Sequence, residues 1–353
     1  MNHKKIIIQS LVRLGAFMAQ FTGSAPIKSE KVPHNDVFFD GFKQQLKLAN
    51  EHNGWFTKAN LSYALEQWAE LLQNAPLKLW LAPYHIPTKN PKTIAIIMAG
   101  NIPLVGFHDF ISALVSGHSI IVKQSSNDRH LLPYLVAYLT HLEPHLKSKI
   151  KFTKEKLQDF DAVIATGSDN TARYFKAYFK NKPSIIRKNR NSIAILTGME
   201  SEADLKSLAE DIFRYYGLGC RSVSKLFVPK DYDFDMFFKA VYYWHFIMKS
   251  AKYANNYDYN KAVYLMSEYD LIENGFLMLK EDTNYASPIA TLFYEFYEDL
   301  ESLKLRIKAD ASQIQCLVSK NFSENEVTFG ATQLPKLSDY ADGIDTVDFL
   351  LKI

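Results

Sequence analysis

Cysteine is nearly absent. Cys220 and Cys316 are the only two in 353 residues. That is too few for a disulfide framework, and no C-x-x-C pair or Cys/His cluster offers a zinc site. A reducing compartment is the expectation. A charge excess is lacking as well: 41 Lys and Arg stand against 38 Asp and Glu, a net charge of +3. The two signs are interspersed, which argues against a dedicated nucleic-acid surface while leaving room for a mildly basic cleft that takes a phosphorylated ligand. No run reaches the roughly 18 uncharged apolar residues of a membrane-spanning helix. The apolar stretch over 1–21 is broken by Gln9, Ser10 and Arg13, with no small-residue cleavage site after it. It reads as an amphipathic helix rather than a secretory signal. The expectation is a soluble cytoplasmic protein that is not transmembrane. Internal repeats, low-complexity segments and flexible linkers are also missing.

What is present is a substantial core composition, 47% hydrophobic, with 24 Phe and 20 Tyr. That length and composition suit about two domains. Over 36–73 the spacing predicts two helices, the second carrying Leu61, Leu65, Trp68 and Leu72 on one face, with Thr57 as its N-cap. From Pro91 the texture changes. A continuous β-rich run, 93–99, ends at Gly100-Asn101-Ile102-Pro103 and a helical pattern follows. A second such run, 118–123, ends at Lys123-Gln124-Ser125, with a helix over 127–142. A third, 161–165, ends at Thr166-Gly167-Ser168, with a helix over 169–179. Strand alternating with helix across short polar turns is the pattern of βαβ units on a parallel sheet. Ligands on such sheets bind at the carboxyl ends of the strands, where all three turns would lie. Further strands are expected over 184–188, 192–196, 222–229 and 314–318, and helices over 202–215 and 233–253. The stretch 255–310 is mixed, and residues 290–297 fit a strand.

The helix over 202–215 leads into Gly217-Leu218-Gly219-Cys220-Arg221-Ser222. Glycines permit close approach and unusual backbone angles, so a thiol presented here is a candidate nucleophile. Taken alone, the stretch equally fits a buried structural cysteine beside a turn. Arg221 could lower the thiol pKa by its charge, or point away. His108 and His118 sit in apolar settings and read as structural histidines, and Cys316 reads as packing.

The order of these turns, with Phe329-Gly330 near the end, resembles the aldehyde dehydrogenase superfamily. Within it, Arg187-Lys188-Asn189-Arg190-Asn191-Ser192, the segment around Cys220 and Asp339-Tyr340-Ala341-Asp342-Gly343-Ile344-Asp345-Thr346 resemble the long-chain fatty acyl-CoA reductases of the LuxC type. The likeness runs from about Pro91 to the C-terminus. It implies an aldehyde dehydrogenase-like α/β fold with a Rossmann-type cofactor domain and an α/β catalytic domain. N-terminal helices and an NADP-binding domain would occupy 1–190, a catalytic cysteine domain 191–325, and a segment returning to the cofactor domain 326–353. It implies NADPH-dependent reduction of an acyl thioester, on acyl-CoA or acyl-carrier protein, to an aldehyde through a thioacyl-enzyme on Cys220.

By the same resemblance Asn101 donates its amide to the oxyanion, although an asparagine before proline also suits a plain turn. Lys123, helped by Ser125, holds the adenosine ribose or its phosphate; a solvated strand end is the alternative. Gly167 and Ser168 approach the pyrophosphate, where a second family glycine is replaced by Ala172. Phe329 packs near the nicotinamide ribose, or is simply core. Hydrolytic aldehyde dehydrogenases carry a glutamate in a Glu-Leu-Gly-Gly segment. The matching residues 187–190 hold no carboxylate, which favours acyl reduction over aldehyde oxidation. Arg187-Lys188 either face a phosphate or end a strand in solvent. Family likeness also suggests a dimer and an acyl-synthetase or acyltransferase partner. A catalytically idle scaffold in an acyl-processing complex and an ordinary aldehyde oxidoreductase are the competing readings.

Overall fold

The computed structural model describes residues 3–86 and 90–353. The chain forms two compact units, Met1–Lys188 with Lys336–Ile353, and Asn189–Pro335.

The first unit opens with four helices, α1 (His3–Ala19), α2 (Asn35–His52), α3 (Lys58–Leu71) and α4 (Asn74–Leu81). The expected helix over 1–21 is α1; Met1 and Asn2 lie outside the described residues. Its buried stripe, Ile7, Leu11, Leu14 and Met18, repeats at helical spacing. Gly15 lets α1 approach the end of α3 closely, because a Cβ there would lie 2.8 Å from Leu72 Cβ. Thr57 caps α3 by accepting the Asn60 N–H. Phe17 stacks on Tyr138 at 4.2 Å between ring centroids, which joins the N-terminal helices to the core of the sheet that follows.

That sheet has strands β1 (Thr93–Ile97), β2 (Ser119–Lys123), β3 (Ile150–Phe152), β4 (Ala162–Thr166) and β5 (Ser184–Arg187). Helices α5 (Phe107–Val115), α6 (Leu131–Leu142) and α7 (Asp169–Tyr178) connect them. All neighbours are parallel, in the order β3-β2-β1-β4-β5. Apart from Thr93 and Thr166 at their ends, β1 and β4 are apolar because a central parallel strand is covered on both faces. The chain leaves β1 to one side for β2 and β3, then returns to its other side for β4. The topological switch point therefore lies between β1 and β4.

The second unit carries β6 (Asn191–Ile195), α8 (Glu202–Phe213), β7 (Val223–Pro229), α9 (Asp235–Val241), α10 (Ala251–Met266), β8 (Leu271–Glu273), β9 (Met278–Glu281), β10 (Thr291–Tyr297), α11 (Leu300–Ala309) and β11 (Ile314–Val318). Its sheet order is β11-β6-β7-β10-β9-β8, parallel except for the β8–β9 pair. Ser201 and Asp204 close a capping box at the start of α8.

Two expected helices differ. The one over 202–215 ends at Phe213, because Tyr215 and Tyr216 take left-handed backbone angles. The one over 233–253 is three pieces: α9, a 3₁₀ stretch Tyr242–Lys249, and α10, which runs on to Met266. The mixed stretch 255–310 resolves into α10, β8 to β10 and α11. Among the described residues no helix is long and apolar enough to cross a membrane.

Candidate active site

In the first unit the register sets Ile97 beside Lys123 and Ala165. The turns after β1, β2 and β4 thus leave the same carboxyl edge of the sheet. Asn101 is exposed on the first turn. The turn is held from beneath: Asp128 Oδ2 accepts the Leu104 N–H at 2.8 Å, and Leu104 has a left-handed φ of 58°. Asp128 is buried and its Oδ1 has no hydrogen-bond partner. Burial pushes this carboxyl up to about 6, against the pull of the Leu104 N–H. Gly100 is buried against the second turn; a Cβ on it would lie 2.6 Å from Ser125 Oγ. Ser125 Oγ also accepts the Asn127 N–H at 3.2 Å. Lys123 is half-buried and its Nζ donates to the Glu155 carbonyl at 3.1 Å.

On the third turn Ser168 caps α7, its Oγ accepting the Thr171 N–H at 3.4 Å. Gly167 has no room for a side chain: a Cβ would meet Thr171 Cβ and Cγ2 at 2.9 Å. Ala172, where a family glycine was missed, is fully buried. A bare glycine backbone ahead of a helix N-terminus is the donor set that phosphate oxygens need. A parallel sheet whose switch point borders that turn suits a dinucleotide.

Arg187 corrects the sequence expectation. It neither faces a phosphate nor ends β5 in solvent. It is buried, grips Asp109 through Nε at 3.2 Å and Nη2 at 2.6 Å, and donates to the Ala341 carbonyl and Thr346 Oγ1. It therefore fastens the returning C-terminal segment to the first unit. Lys188 is exposed. His108 is half-buried beside Trp68, Trp80 and Tyr340 and bonds the Leu337 carbonyl through Nε2 at 2.9 Å. Burial lowers its pKa. His118 accepts the Lys92 N–H on Nδ1 and donates from Nε2 to the Leu350 carbonyl. Both rings serve structure.

In the second unit Cys220 is exposed and Cys316 is buried. Three successive left-handed residues lead to the exposed thiol: Tyr215 at φ 55°, Tyr216 at φ 60° and Gly217 at φ 74°. Left-handed angles in bulky residues cost about 1–3 kcal/mol each and survive only where surroundings impose them. The surroundings are visible. Ser192 Oγ donates to the Cys220 carbonyl at 2.9 Å and accepts the Cys316 N–H at 3.1 Å. The Arg221 Nε donates to the Thr332 carbonyl. Gln333 Nε2 donates to Ser222 Oγ at 3.3 Å. Asp211, fully buried on α8, accepts the N–H groups of Gly330 and Thr332 and the Thr332 hydroxyl. Burial pushes its carboxyl up while these three bonds pull it down. Phe329, half-buried, rides on the loop so held.

The anchoring roles of Asp128, Asp211 and Ser192 are not visible in the sequence. Each carries a polar side chain that bonds backbone far away in sequence, and no local pattern marks it. Among the described residues no group of His, Cys, Asp and Glu could hold a metal ion.

The two sheets place this chain with the aldehyde dehydrogenases in fold. It superposes on aldehyde dehydrogenase 21 from Physcomitrella patens, in complex with succinate, with a TM-score of 0.67 at 13% identity, covering 100% of this chain and 89% of that one. A mutant of the indole-3-acetaldehyde dehydrogenase AldA from P. syringae, in complex with NAD+ and IAA, gives 0.64 at 13% identity over 90% and 72%. The aldehyde dehydrogenase KauB from Pseudomonas aeruginosa gives 0.62 at 13% identity over 90% and 72%. None of the curated proteins matches. Residues 39–237, more than half of the chain, match the acyl-CoA reductase (LuxC) family, and the chain belongs to that family. It is thereby an oxidoreductase of acyl and aldehyde chemistry.

Proposed function

We propose that this chain reduces an acyl thioester, on acyl-CoA or acyl-carrier protein, to an aldehyde at the expense of NADPH. The observation that carries the reading is the exposed thiol of Cys220 on a strained turn in a member of the acyl-CoA reductase family. The Cys220 thiolate attacks the thioester carbonyl, and the carrier thiolate leaves and takes up the proton that Cys220 lost. A thiol suits both halves of the reaction, as nucleophile and as leaving group. Asn101 is assigned the oxyanion donor by its family position; losing one such donor costs about 100- to 1000-fold in rate. The chemistry a bound NADPH supplies is hydride. Cys220 then departs from the reduced, thiohemiacetal carbon, and the aldehyde is released.

Gly167, Ser168, Lys123 and Ser125 would hold the cofactor, with Phe329 toward its nicotinamide end. The preference for NADPH over NADH is supported by the sequence after β2. The first carboxylate there, Asp128, is buried against Leu104 and is not presented to a ribose hydroxyl. The reductive direction is supported by residues 187–190, which carry no carboxylate to activate water. Arg187 in that segment is spent on Asp109. The same family position suggests a cytoplasmic homodimer working in fatty acid metabolism with an acyl-synthetase or acyltransferase.

The test is NADPH oxidation, followed by absorbance, with acyl-CoA substrates of several chain lengths and aldehyde trapped as product. Cys220→Ser should abolish turnover and leave NADPH binding intact. Retained turnover in that variant removes Cys220 from the mechanism. No consumption by the unaltered protein with any acyl-CoA or acyl-carrier protein overturns the proposal.

A further inference from the structure

We propose that Asp211 is a positioning residue for Cys220, acting through the loop 330–333; this rests on reading Cys220 as the nucleophile. The chain that presents the thiol has two backbone bonds of its own, Leu218 N–H to the Tyr215 carbonyl at 3.1 Å and Ser222 N–H to the Gly219 carbonyl at 2.9 Å, laid over a strained backbone. Tyr215, Tyr216 and Gly217 are all left-handed, and two of the three are bulky aromatic residues that disfavour it. Something outside the turn must impose the conformation.

Two of the ties reach the residues just after the thiol, and both come from one loop. The Thr332 carbonyl receives the Arg221 Nε–H, and Gln333 Nε2 donates to Ser222 Oγ at 3.3 Å. That loop has two backbone bonds of its own, Ala331 N–H to the Thr328 carbonyl and Leu334 N–H to the Ala331 carbonyl, both at 3.1 Å, around a left-handed Gly330 at φ 83°. Asp211 fixes it. Oδ2 accepts the Gly330 N–H at 2.6 Å, and Oδ1 accepts the Thr332 N–H at 2.9 Å and the Thr332 hydroxyl at 2.7 Å. One turn earlier on α8, Ser207 closes on Gly330, where a Cβ would lie 3.1 Å from Ser207 Cβ. The same helix delivers the chain into the left-handed run. Helix α8 therefore meets the thiol turn on both sides: its end leads through Phe213 into the left-handed run, and its Asp211 holds the loop whose Thr332 and Gln333 tie Arg221 and Ser222. A buried carboxylate whose bonds all go to one loop, and none to solvent, is an anchor whose removal displaces that loop.

The experiment compares the full-length protein with Asp211→Asn and Thr332→Val. The first replaces one acceptor oxygen by a donor that faces an N–H. The second keeps the side-chain shape and removes only the hydroxyl. Cys220 alkylation by iodoacetamide is followed by mass spectrometry as a function of pH, with buried Cys316 as an internal marker of unfolding. Turnover of acyl-CoA with NADPH is measured alongside. In Asp211→Asn, kcat should fall about tenfold, since displacement of a reacting group by an ångström costs that much or more. The KM for NADPH should hold, and the alkylation–pH curve of Cys220 should move. Thr332→Val should move both in the same direction by less. An alkylation curve that overlays that of the unaltered protein, with Cys316 unlabelled, overturns the proposal. If Asp211→Asn exposes Cys316, Thr332→Val decides by the same criterion. If the unaltered protein reduces no acyl thioester, the proposed function falls, while the alkylation curves still decide the role of Asp211.

Discussion

Asp128→Asn offers a direct measure of how the β1 turn is held. The carboxyl is buried, its Oδ2 accepts the Leu104 N–H, and its Oδ1 has no partner. Its pKa stands at about 6, against 3.8 for a free side chain. The folded state therefore favours the protonated form. The stability this group contributes is fully present below pH 3.8 and is lost as pH rises through about 6. A shift of about two units corresponds to about 3 kcal/mol at 1.36 kcal/mol per unit. Asparagine is nearly isosteric with the protonated carboxyl and cannot ionise, so the two proteins should be about equally stable at low pH. At pH 8 the Asp128→Asn protein should be the more stable by up to about 3 kcal/mol, with about half of that gap opening between pH 5 and pH 8. Urea unfolding of a Trp244→Phe background at a series of pH values, followed by tryptophan fluorescence, reads the right unit, since the other three tryptophans, Trp55, Trp68 and Trp80, lie in it. A gap that does not change with pH, or an Asp128→Asn protein less stable at pH 8, refutes the reasoning. Asp128→Ala should behave differently. It strands the Leu104 N–H, at a cost of about 1–3 kcal/mol, and should slow turnover by loosening the turn that carries Asn101.

Arg187→Met leaves the Asp109 carboxylate buried without its partner and should cost about 3–5 kcal/mol; adding Asp109→Asn should restore part of it in the same denaturation assay. Gly167→Ala forces a methyl group to within 2.9 Å of Thr171, an overpacking cost of about 1–3 kcal/mol. If that turn takes the cofactor, NADPH affinity should fall about tenfold or more in a fluorescence titration, while melting of the second unit is unchanged.

Local pattern reads well wherever a fold depends on it. The apolar runs of β1 and β4 are continuous because both faces are covered, so the parallel sheet and its three loaded turns were legible from residues 93–168. The order of those turns, followed by Gly217-Leu218-Gly219-Cys220, was enough to point to the aldehyde dehydrogenase superfamily and to the LuxC-type reductases within it. The helix break at Tyr215 was not legible, because nothing in two tyrosines announces left-handed backbone. More distant residues tie the chain just beyond it, at 220–222. The same applies to Arg187, which looked like a charged strand end and is in fact a buried clamp on Asp109 and Thr346. By itself the sequence determined the alternation of strand and helix, the identity of the turns and the presence of a lone thiol among them. Tertiary structure alone decided that Cys220 is exposed rather than buried beside its turn, and which carboxylates are withdrawn from solvent to fix backbone. Those outcomes depend on hydrogen bonds between residues far apart in the chain, such as Asp211 to Thr332 and Asp128 to Leu104, which no periodicity encodes.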